Sequence, residues 1–91
     1  MRPRAVNVMP LDDYKLLVTF GNNERKVFSV KPYLNLYPFQ ELKNITIFNA
    51  VQIGGLSVEW PTGQDICPDE LYFESLPFTE QARSSQSGQA L

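Results

Sequence analysis

The chain has 91 residues, with 8 Lys and Arg, 10 Asp and Glu, no His, one Cys and 43% hydrophobic residues, at a net charge of −2. That length allows one small domain, and a composition this apolar predicts a packed core rather than a disordered chain. Without His there is no Ser-His-Asp triad, no Cys-His pair and no His-ligated zinc, and a lone Cys cannot close an internal disulfide. No apolar run approaches the length of a membrane span, and the opening Met1-Arg2-Pro3-Arg4 leads into a strand-like segment rather than a signal peptide's apolar stretch. These features predict a cytoplasmic protein with no membrane contact.

In chain order, the first strand is predicted over 5–9, with Val6 and Val8 on one face, and Pro10-Leu11-Asp12-Asp13 as the turn after it. Residues 14–20 alternate Tyr14, Leu16, Val18 and Phe20 against Lys15, Leu17 and Thr19, which is the period of a strand. Gly21-Asn22-Asn23 supplies residues that tolerate positive φ, so 24–30 returns antiparallel. Two registers fit: a two-residue turn sets Val18 opposite Val27, and a three-residue turn sets Leu16 opposite Phe28. Both pairings are apolar, and the pattern leaves the choice open. From 31 to 48 the period breaks. Pro32 and Pro38 suit the first turns of short helices, and Phe39 and Leu42 share a face three residues apart. Short helical turns, some 3₁₀, are expected here, with Phe48 tucked under them.

The second half is expected to be a hairpin closed by Gly54-Gly55, with positive φ at both glycines. That turn pairs Ile53 with Leu56, Gln52 with Ser57 and Val51 with Val58. It sorts Val51, Ile53, Leu56, Val58 and Trp60 onto one face and Ala50, Gln52, Ser57 and Glu59 onto the other. Trp60-Pro61-Thr62-Gly63 reads as a type I turn. A helix follows from Pro68 to about Ser75. Cys67 is its cap, Asp69 and Glu70 stand in the first turn where the dipole favours negative charge, and Leu71, Tyr72 and Ser75 face the sheet. The fold class is therefore α+β: a small antiparallel sheet of two β-hairpin units with short helices, including a C-terminal helix packed on the sheet. The domain is expected over 1–76. A disordered polar tail is expected over 77–91, where QARSSQSGQAL closes the chain without an aromatic or β-branched residue.

Several of these segments together resemble a known family. Val6-Asn7-Val8-Met9-Pro10 precedes Tyr14-Lys15-Leu16-Leu17-Val18-Thr19-Phe20. Further on, Val58-Glu59-Trp60-Pro61-Thr62-Gly63-Gln64-Asp65-Ile66 precedes Pro68-Asp69-Glu70-Leu71-Tyr72. The Trp-Pro-x-Gly-x-Asp stretch followed by Pro-x-x-Leu-Tyr is the most specific part. Over about residues 3–75 the chain resembles the bacterial domain of unknown function 2442 family of small uncharacterised proteins. The resemblance implies a small α+β domain, which some larger proteins carry ahead of a helix-turn-helix module. It also implies a setting beside a second small protein, in an arrangement like a toxin–antitoxin pair. It supplies no catalytic residues.

Charge is unevenly spread. Residues 1–45 carry a net of +3 and residues 46–91 a net of −5, and residues 55–80 hold six acids and no base. This acidic run predicts a surface for a small basic protein partner, with Glu59, Asp65, Glu70 and Glu74 as its carboxylates. The apolar residues of 33–39 read equally as core or as an interaction patch, with Tyr33 and Tyr37 as its aromatic members. Asp65 is expected to bond backbone amides of the 63–68 loop, Cys67 to be a partly buried cap, and Trp60 to be core. A pI near 4.9 without a basic-aromatic stripe argues against nucleic acid. No cofactor, metal or catalytic group is expected. The function predicted is a non-enzymatic protein-interaction module, and more narrowly the antitoxin-like member of a small gene pair. The alternatives are a regulatory domain that senses a small ligand, or an accessory domain of transcription control.

Overall fold

In the computed structural model, which describes residues 2–78, the chain forms β1 (Ala5–Leu11), β2 (Lys15–Phe20) and β3 (Arg25–Ser29). Two 3₁₀ turns follow (Lys31–Tyr33 and Phe39–Lys43), then α1 (Ile45–Phe48), β4 (Gln52–Gly54), β5 (Ser57–Glu59), α2 (Pro68–Phe73) and β6 (Leu76–Pro77). The strands make an antiparallel sheet in the order β1-β2-β3-β6 and a separate β4–β5 hairpin. The fold is thus the small α+β type that the pattern predicts.

The alternation in β2 sets its faces. Leu16, Val18 and Phe20 are buried in the main core, where Phe28 of β3 joins them. Of the two registers open for β2–β3, the structure adopts Leu16 opposite Phe28. Its turn has three residues, with positive φ at Asn23 only, so Asn23 and not Gly21 takes the left-handed conformation. β1 is longer than expected and carries a bulge between Ala5 and Asn7. The bulge turns Ala5 into the core and leaves Val6 exposed, so Val6 and Val8 do not share a buried face. Pro10 lies inside β1 rather than in a turn. Its missing N–H is tolerated because β1 is the first strand of the sheet order. The turn moves to 12–14, with positive φ at Asp13 and Tyr14.

The proline-punctuated stretch forms the short turns expected of it. The helix α1 is capped by Asn44, whose side chain accepts a hydrogen bond from the Thr46 N–H at 3.0 Å. It delivers Phe48 into the core, edge-on to Tyr14 and beside Trp60. The Tyr14 hydroxyl donates to the Lys43 carbonyl and ties this segment to the first hairpin.

The β4–β5 register differs from the expected one by two residues. Ile53 pairs with Val58, Gln52 with Glu59 and Gly54 with Ser57. The turn residues are Gly55 and Leu56, with positive φ at Gly55 but not at Gly54, the sign pattern of a type II′ turn. A shift of two preserves which face each side chain occupies, so the apolar sorting survives while Leu56 moves to an exposed corner. The Leu56 carbonyl there accepts from the Ala5 N–H at 3.2 Å. Gly54 serves space rather than φ: a Cβ there would fall on the Glu59 side chain.

The Trp60–Gly63 turn closes through Gly63 N–H to the Trp60 carbonyl at 2.9 Å, with positive φ at Gly63. The predicted helix is present as α2 and packs Leu71 into the core and Tyr72 edge-on to Phe20 at 5.0 Å. Beyond it, β6 extends the sheet where the domain was expected to end. Leu76 pairs with Val27, Pro77 with Lys26, and the Phe78 N–H donates to the Arg25 carbonyl. Pro77 and Phe78 therefore belong to the folded part rather than to a tail. The remainder of the predicted tail, 79–91, lies outside the described residues.

Candidate functional site

Three of the six residues singled out from the sequence converge. Pro32 is the second residue of the 3₁₀ turn that carries Tyr33, and the Tyr33 ring packs against Phe28 at 5.7 Å and Phe39 at 5.4 Å. Glu70 in the first turn of α2 and Glu74 at its C-cap, one helical turn apart, face the same space. Between them runs a groove of about 400 Å³ lined by Phe28, Ser29, Pro32, Tyr33, Leu36, Glu70 and Glu74. The Tyr33 hydroxyl donates to Glu70 Oε2 at 2.5 Å across it. Burial, that bond and the charges of Glu70 and Glu74 push the Tyr33 phenol well above its ordinary range, so it stays a neutral donor. The groove thus combines an apolar floor with two carboxylates on an exposed rim.

Glu59 and Asp65 meet elsewhere, as partners in an isolated antiparallel bridge. Glu59 is half-buried and accepts from Gln52 Nε2 at 3.3 Å, while Asp65 is exposed. Asp65 does not take the expected role in its loop: among the described residues, no amide donates to its carboxylate. Alternation from Gln64 to Ile66 turns it outward and turns Gln64 in. Gln64 is the organiser that sequence reasoning missed. It is buried, and its Nε2 donates to the Pro38 carbonyl and to Glu41 Oε1, both at 2.9 Å.

Tyr37 stands apart at 87% exposure, next to a smaller depression of about 250 Å³ with Pro38, Gln40 and Glu41. The 33–39 stretch is therefore divided. Leu34 is core, Tyr33 and Phe39 are half-buried, and Leu36 and Tyr37 are exposed. Leu36, the exposed aliphatic member of the groove, was legible as a surplus of apolar residues there. Ser29 carried no signal. Two further expectations need revision. Cys67 is the N-cap position of α2 but is exposed, and its side chain caps nothing. The acidic run is also not uniformly free, because Arg2 Nε sits 2.9 Å from Asp69 Oδ1. Trp60 is core as expected, with its Nε1 donating to the Phe48 carbonyl at 2.9 Å.

Among the described residues, no cluster of three or more His, Cys, Asp or Glu side chains is arranged to hold a metal ion. No helix there is long and apolar enough to cross a membrane. Neither the curated proteins nor the solved structures include a match to the chain. A family model described as a protein of unknown function (DUF2442) matches residues 5–77, from the start of β1 to the end of β6. With the matched span running over every strand and helix of the described residues, the chain belongs to the DUF2442 family.

Proposed function

We propose that this protein is an interaction module that holds a basic segment of a protein partner in the groove between the first 3₁₀ turn and α2. The observation that carries this reading is the groove itself. Leu36 and the Tyr33 ring offer apolar contact, and Glu70 and Glu74 present negative charge beside them. A partner that inserts an apolar side chain next to Lys or Arg would satisfy both, and its on-rate would fall with salt. The narrower reading is the antitoxin-like member of a gene pair working in the cytoplasm, with the neighbouring gene's product as the partner.

The test is to co-purify the chain with its neighbouring gene product and follow association by stopped flow at two salt concentrations. Glu74→Lys and Leu36→Ser, both at exposed positions, should leave the melting midpoint nearly unchanged and slow association severalfold or more. An unchanged rate in low salt for both variants would remove the groove from the interface. The groove's volume also falls within the range of small-molecule sites. A ligand-sensing role is therefore the second reading, and a thermal shift with small cationic aromatics distinguishes it from protein binding.

A further inference from the structure

The four-stranded sheet has a second face, and the register shows what it carries. On the core side, the rows are Val8–Val18–Lys26–Pro77 and Pro10–Leu16–Phe28. One residue along each strand, on the other side, Met9, Leu17, Val27 and Leu76 stand in a single row that crosses all four strands. Every member of that row is apolar. At a strand spacing of about 4.8 Å it runs roughly 14 Å from end to end. Tyr33 and Tyr72 pack on Phe28 and Phe20 of the opposite face. Leu17 is only 8% exposed yet lies outside the main core cluster, and the ends of the row are open, with Met9 at 53% and Leu76 at 71% exposure.

The charges on this face have one sign. Lys15 stands in the row on one side and Arg25 in the row on the other, and the remaining members of those rows are Leu11, Ser29, Asn7 and Thr19. Arg25 sits over the Phe78 ring at 4.9 Å to its centroid, which holds its guanidinium at the border of the apolar row. Asp13, at the Lys15 end, is already paired with Lys31 at 2.8 Å. Two copies placed face to face would double this positive charge, with no carboxylate in the rows of either face to offset it. From this geometry we infer that the open face of the sheet is a second docking surface, for a protein segment that presents apolar side chains flanked by carboxylates. It is opposite in charge to the acidic groove and does not depend on the groove's function.

The experiment is a titration of the ¹⁵N-labelled full chain with a synthetic peptide alternating Leu and Glu, and with its Leu and Lys counterpart. The Leu/Glu peptide should shift the amides of Met9, Leu17, Val27 and Arg25, and the Leu/Lys peptide should not. Met9→Ser with Leu76→Ser, and separately Arg25→Glu, should each weaken Leu/Glu binding about fivefold or more, as loss of rim charge or apolar contact does, with an unchanged melting midpoint. Equal shifts by both peptides, or none at millimolar peptide, would overturn the proposal. So would self-association in sedimentation that Met9→Ser abolishes, which would assign the face to a second copy. Amide shifts on this face when the chain is ended at Phe78 would assign it to the chain's own 79–91 segment. Binding of phosphatidylglycerol vesicles through these residues without binding of the Leu/Glu peptide would assign it to a membrane surface.

Discussion

The β2–β3 hairpin turns through three residues with positive φ at Asn23, whereas β4–β5 turns through two with positive φ at Gly55. The first has strands of six and five residues, and the second has strands of three. A hairpin as short as the second is marginal alone, so its register is decided by what it docks against rather than by its turn. Val58 and Trp60 must both reach the core, and Leu56 offers its carbonyl to Ala5. Those demands select the register in which Gly55 turns and Gly54 makes room for Glu59. In the first hairpin the three-residue turn sets Leu16 opposite Phe28, and the longer strands carry both into the core.

The heaviest test of that dependence is Trp60→Ala. Trp60 is buried against Phe48 and bonds its carbonyl, so truncation should cost about 3–5 kcal/mol, comparable to the whole stability of a domain this small. Denaturant melts followed by hydrogen exchange should show both hairpins lost together, because they share one core. Loss confined to β4–β5 would show that the first hairpin stands without the second. A smaller effect is expected at Gln64, which joins the loop after β5 to the Pro38 carbonyl and to Glu41. Gln64→Ala leaves that carbonyl without its donor and should cost about 1–3 kcal/mol. A change below about 0.5 kcal/mol would mean that water replaces the amide fully.

The turn glycines separate the two roles that glycine plays here. Gly55→Val should cost about 1–2 kcal/mol, because a β-branched residue resists φ of +58°. Gly54→Ala should cost less, because the group it meets is the flexible end of Glu59, and Gly54→Ala with Glu59→Ala should recover most of the loss. If Gly54→Ala proves the more damaging change in both backgrounds, the turn is centred on Gly54 after all.

Much of this architecture was legible because it rests on period and punctuation. The alternation of β2, the prolines before the 3₁₀ turns and before α2, and the burial of Trp60 all follow from local pattern. What was hidden depended on long-range choices. The bulge at Val6 depends on the Ala5–Leu56 hydrogen bond, and a Leu-Pro dipeptide forms β6 only because β3 offers its edge. The groove was half legible. Tyr33, Glu70 and Glu74 each carried a signal, but nothing in the spacing of 33 and 70 says that the two side chains touch. Glu59 and Asp65 shared the sign of the acidic run without sharing its place.

The smallest predicted effect tests the tie between the first hairpin's turn and α2. Glu24, just after the Asn23 corner, accepts hydrogen bonds from the Tyr72 hydroxyl and from Asn22 Nδ2, and these hold its carboxyl below the ordinary glutamate range. A carboxylate depressed in the folded state binds fewer protons there than in the unfolded chain. Its stabilisation is present above the unfolded value near pH 4.5 and is lost as pH falls through the lower, folded one. Asp13 beside Lys31 acts in the same direction. The melting midpoint should therefore fall from about pH 5 towards pH 3. Glu24→Gln removes the titrating group, and Tyr72→Phe removes its first hydrogen-bond donor while keeping the ring on Phe20, so each should flatten part of that fall. Because Glu24 is at the surface, the change is one of slope rather than of overall stability at neutral pH. An acid limb as steep in Tyr72→Phe as in the parent chain would mean that α2 is held to this hairpin by the Phe20–Tyr72 and Lys26–Tyr72 contacts alone.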